Sequence, residues 1–137
     1  MSWLPYALLS AVAAACTAIL GKMGVVGVPS TLATAIRTVV VGLVAWAIAV
    51  GMSEHKALPL VPRSSWLFLV LSGLATGVSW LAYYRALQLG PASRVAPIDK
   101  LSLPLTIVLA MLVLGEQVTP RVAVGVGLMV VGGLLTL

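Results

Sequence analysis

This chain has very little charge. Charged residues make up 8% of its 137 positions, against roughly a quarter in soluble domains. Acids are scarcest, with three in all, Glu54, Asp99 and Glu116. The single cysteine, Cys16, excludes a disulfide framework, and with His55 as the one histidine no metal-ligand cluster can be assembled. There are no paired carboxylates and no phosphate-binding glycine loop, so the inventory predicts no enzyme, no cofactor and no metal. The net charge of +5 is spread over cations near helix ends, which is how membrane proteins place them and not how nucleic-acid binders do. Ala14-Ala15-Cys16 faintly resembles a lipoprotein cleavage site, but no Lys or Arg precedes the first apolar run. That run therefore reads as a spanning helix and not as a signal peptide.

Apolar sequence takes the place of charge. Hydrophobic residues reach 61% and mean hydropathy is +1.17, with runs near the length that crosses a bilayer. The pattern predicts an all-α membrane protein forming one domain over residues 1–137. Its five transmembrane helices fall at about 4–20, 32–52, 66–89, 94–114 and 121–137. Gly21, Gly24, Gly27 and Pro29 close the first helix, and Ser30 or Thr31 suits the N-cap of the second. Gly73 and Gly77 form a Gly-xxx-Gly packing face, and Gly125 and Gly132 share a face of the last helix. Pro104 removes a backbone hydrogen bond and frees the Lys100 carbonyl, which predicts a kink. An odd number of spans places the termini on opposite sides.

With that topology, Lys56, Arg63 and Arg121 fall on the N-terminal side, and Lys22, Arg37, Arg85, Arg94 and Lys100 on the other. The bias is too small to set an orientation, as expected of a chain that inserts both ways. Depth is more informative. Arg37, Arg85, Asp99 and Lys100 fall within helices, and charge in lipid is costly and usually functional. With Trp80, Tyr83 and Tyr84 they make up a candidate substrate or ion pathway. Asp99 reads either as a solute or proton contact or as one half of a structural ion pair, with Arg37, Arg85 or Lys100 able to neutralise it. Asp99 and Lys100 are adjacent, so on a helix their side chains diverge and should not pair. Lys100 reads as a snorkelling cation, Lys22 as an interfacial anchor, Trp3, Trp46 and Trp66 as an aromatic belt, and His55 as a solvated loop residue.

The segment Tyr84-Arg85-Ala86-Leu87-Gln88-Leu89-Gly90-Pro91-Ala92-Ser93 resembles the "YxxALxxxpAs" stretch of EamA-type domains in the drug/metabolite transporter superfamily. Pro104 with the following apolar run and Leu114-Gly115-Glu116-Gln117-Val118-Thr119 resembles that domain's "P…lxGErlt" signature, and a Gly-rich last helix matches too. The resemblance spans essentially the whole chain. It implies an integral protein of a bacterial-type cytoplasmic (inner) membrane that exports metabolites, amino acids or drugs. Members typically carry two such five-helix halves in inverted orientation within one chain, whereas this sequence is one half. A half-transporter of this kind needs a partner, most simply a second copy in an antiparallel homodimer.

Two functional classes follow. The first is a homodimeric secondary transporter of small organic solutes, driven by proton exchange or facilitated diffusion. The second is a non-transporting membrane subunit, or the partner half of a heteromeric transporter. A scaffold needs packing glycines, but it has little reason to hold Arg37 and Asp99 in lipid.

Overall fold

The computed structural model describes residues 3–137, and among them the only regular structure is helical. Helix α1 spans Leu4–Gly24 and α2 Ser30–Gly51. A 3₁₀ segment, Glu54–Leu60, leads into α3, Arg63–Leu89. The next apolar run is divided into α4, Ala92–Asp99, and α5, Ser102–Leu109, which passes into a π-helical turn at Ala110–Leu114. Helix α6 covers Pro120–Leu134.

Four stretches are long and apolar enough to cross a membrane: Leu4–Gly24, Ser30–Gly51, Arg63–Leu89 and Ala92–Leu114. The fifth helix, α6, has 15 residues, or roughly 22 Å of rise against a hydrocarbon core of about 30 Å. Large apolar side chains face outward along all of them, Leu9, Val39, Leu69 and Leu112 among many. Such a surface suits lipid and would be untenable in water.

The described residues fall into two compact units, one of residues up to Leu20 with Leu89–Leu137, the other of Gly21–Gln88. The second unit holds the small buried core: Val25, Thr34, Tyr84 and Leu87. Helix α1 does not stop at Leu20 as its glycines suggested. It continues to Gly24, because Gly21 supplies close approach and not a break. A Cβ on Gly21 would stand 3.4 Å from Tyr84 Oη and 3.7 Å from Leu87 Cδ1. The chain reverses at Gly27, whose φ of +73° a side chain would strain. Neither Ser30 nor Thr31 caps α2. Pro29 does so in extended conformation, and its carbonyl accepts from Ala33 N at 3.0 Å.

In the other unit α4 and α5 both pack on α6. The close contact there is made by Gly133, since a Cβ on it would lie 3.2 Å from Leu101 Cδ2 and 3.5 Å from the Pro97 carbonyl oxygen. Gly73, Gly77, Gly125 and Gly132, expected to form packing faces, have nothing within 4 Å of their Cβ positions. Within one chain they face open space.

Candidate functional site

Trp80 and Tyr84 stand one turn apart on α3, so their rings share a face. Tyr84 is buried and Trp80 half-buried. Arg37 reaches them from α2: its guanidinium carbon lies 3.7 Å from the Trp80 ring centroid and 5.7 Å from that of Tyr84. A cation over an aromatic face is attracted by the ring quadrupole, most strongly by indole, and the planar guanidinium stacks where an ammonium could not. Tyr83 meets Tyr84 edge-on, with centroids 6.4 Å apart and planes at 77°. Arg37, Trp80, Tyr83 and Tyr84 therefore form one cluster, seven residues into α2 from Ser30.

Arg85 is exposed and donates to Gln88 Oε1 at 3.2 Å. Gln88, not among the candidate site residues of the sequence, donates its amide to the Val28 carbonyl at 2.6 Å and reaches that of Val25 at 3.4 Å. It ties α3 to the turn before α2. Lys22, expected to anchor at the interface, donates from Nζ to the Leu87 carbonyl, one of the final α3 carbonyls that the helix itself leaves unpaired. No sequence signal short of a contact map pairs residues 65 and 60 positions apart.

Asp99 and Lys100 belong to the other unit and are described by themselves. They do pair, Lys100 Nζ lying 3.3 Å from Asp99 Oδ2, contrary to the helical expectation. Lys100 is the residue just past the end of α4, so its long side chain is free to fold back. Pro104 stands third in α5, after a break at Lys100–Leu101. The Lys100 carbonyl is not freed there, because Leu103 N takes it at 3.0 Å.

His55 is half-buried, within the 3₁₀ segment. It lines a groove of about 230 Å³ with Ala45, Trp46, Ala49, Glu54 and Leu58, and its Nδ1 is buried without a hydrogen-bond partner among the described residues. Also among the described residues, no group of His, Cys, Asp and Glu could hold a metal ion.

The sequence matches the EamA-like transporter family over residues 1–137. It is 48% identical over 134 residues to a Sinorhizobium sp. protein named "Uncharacterized transporter in cobO 3'region", an alignment covering 98% of this chain and 95% of that one. No solved structure matches it.

Proposed function

Because the chain belongs to the EamA-like transporter family, we propose that it exports small organic solutes as a homodimer of five-span half-transporters. The observation that carries this reading is the guanidinium of Arg37, held at 3.7 Å over Trp80 within a helix long and apolar enough to span a membrane. A scaffold can be built from apolar helices alone, and a cation inside one is a cost that function offsets. In this reading α6 crosses as the fifth span, and the second copy lies inverted to the first in a bacterial-type inner membrane. The solute path runs past Arg37, Trp80 and the paired tyrosines Tyr83 and Tyr84.

The test is release from vesicles. The purified chain is reconstituted into liposomes loaded with a mixed pool of amino acids, organic acids, amines and sugars, and the efflux is analysed by mass spectrometry. The expected result is faster loss of a subset of solutes than from protein-free vesicles. Equal leakage from both would sink the reading and leave the chain as a subunit of another transporter. Asp99 is the carboxylate through which proton coupling would run, and pH-driven efflux unaltered by Asp99→Asn removes it from that role.

A further inference from the structure

We propose that Arg37 is the recognition group for an anionic solute, an organic carboxylate bound at the guanidinium edge while Trp80 and Tyr84 hold its face. This deepens the transport reading and rests on it only for the solute's passage, not for its binding.

The charge balance around Arg37 leads there. Arg37 lies roughly 10 Å along α2 from Ser30, in a stretch where an unneutralised charge is expensive. Within Gly21–Gln88 the one acid is Glu54. It lies past the end of α2, and Arg37 to Gly51 alone covers roughly 21 Å of helix rise. Arg37 makes no ion pair or hydrogen bond among the described residues, and its contacts are the two rings at 3.7 and 5.7 Å. Ring quadrupoles attract a cation but leave its net charge in place. They also engage the guanidinium face, whereas its five N–H donors lie in the plane and point out from its edge. That edge is the fork that matches a carboxylate with two parallel hydrogen bonds.

The surroundings select the same class. Cations outnumber acids within Gly21–Gln88, with Lys22, Arg37, Lys56, Arg63 and Arg85 against Glu54, a balance that favours anions over amines. Arg37 is half-buried, and a neutral solute would leave its charge and its edge donors without a matching partner. Trp80 and Tyr84 are positioning residues here: they fix the plane of the guanidinium and so the direction of its fork.

Trp80 also reports the event. With Trp3, Trp46 and Trp66 replaced by Phe, it is the one remaining indole. In phosphatidylcholine nanodiscs this variant is titrated with benzoate, benzamide and benzylamine, three probes of one shape and different charge. Benzoate is expected to change Trp80 emission saturably, with affinity at least tenfold above the other two. Arg37→Gln loses that response by tenfold or more, and Arg37→Lys, which keeps charge without the fork, falls between. The native chain gives a reading that needs no variant: benzoate raises its Tm and the other two probes do not.

Equal binding of all three probes, no saturable response to any, or full benzoate binding by Arg37→Gln overturns the proposal. Phosphatidylglycerol added to the nanodiscs separates the two sources of an oxyanion. If it abolishes the benzoate response, Arg37 serves a lipid phosphate and the solute assignment falls. Benzoate binding with no protein-dependent efflux upholds the anion site and defeats transport. Efflux indifferent to solute charge and to Arg37→Gln upholds transport and defeats the anion site.

Discussion

At the scale of single residues, polar groups in this chain are used where the helical ladder fails. Gln88 donates to the Val28 carbonyl at 2.6 Å, in the turn between α1 and α2, where no helix supplies a donor. Lys22 does the same for Leu87 at the end of α3. Both bonds close the Gly21–Gln88 unit around Tyr84 and Leu87, and Tyr84 is one wall of the Arg37 stack. Gln88→Leu keeps the volume and removes the donor, leaving the part-buried Val28 carbonyl unmatched, whereas that of Val25 keeps Val28 N, at a cost of about 1–3 kcal/mol. The expected outcome is a lower thermal unfolding midpoint in detergent, with weaker benzoate binding because the Tyr84 wall loosens. A midpoint equal to the parent's would mean that water takes over the bond and that the turn is held by packing alone.

At the scale of elements, the interruption between α4 and α5 is written by proline, but not as a simple kink. In an unbroken helix Pro104 would clash with the Lys100 carbonyl and leave it unpaired. Instead a new helix begins at Ser102. Pro104 then stands in its first turn, where the missing N–H costs nothing, and Leu103 N takes the Lys100 carbonyl. Pro104→Ala is expected to let the two helices run on as one, seen as slowed amide exchange at Lys100–Leu103 relative to the parent. Fast exchange there would assign the break to Pro97 or to the packing of Leu101 on Gly133. The break also explains what could be read beforehand and what could not. The apolar runs and their Gly-Pro stops were legible, because composition and the chemistry of turns are local. The i, i+4 spacing of Trp80 and Tyr84 was legible as one face, and the depth of Arg37 as a cost, but their meeting depends on how α2 lies against α3. Gly125 and Gly132 were read as sharing a packing face; within the chain it is Gly133, about 100° round the helix from Gly132, that meets Leu101 and Pro97. The π turn at Ala110–Leu114 left no signal, because Gly115, at φ +68°, ends α- and π-helical turns alike.

At the scale of the whole molecule, the surface calls for a surrounding that one chain does not supply. Leu, Val and Ile side chains are exposed along each of the long helices and along α5 and α6, and lipid satisfies them. Gly73 and Gly77 are a different matter, since lipid has no preference for a groove without side chains. Small residues with nothing within 4 Å suit close approach by another helix, and under the homodimer reading that helix belongs to the second copy. Whether the second copy is inverted is a question of insertion. Under the five-span reading the cations divide three against five between the sides, or three against three once Arg37 and Lys100 are set within the membrane, and such a balance gives the inserting machinery no clear instruction. The prediction is dual topology. Single cysteines at Lys56, in the 3₁₀ segment, and at Arg94, near the start of α4, in a Cys16→Ser background, are expected each to label from both faces of intact cells and inverted vesicles. Added Lys residues beside one of these positions should then fix one orientation and abolish efflux, and mixing the two oppositely fixed forms should restore it. Labelling of each cysteine from one face alone would exclude the inverted pair. The open Gly73 and Gly77 face would then belong to a parallel oligomer or to a different partner.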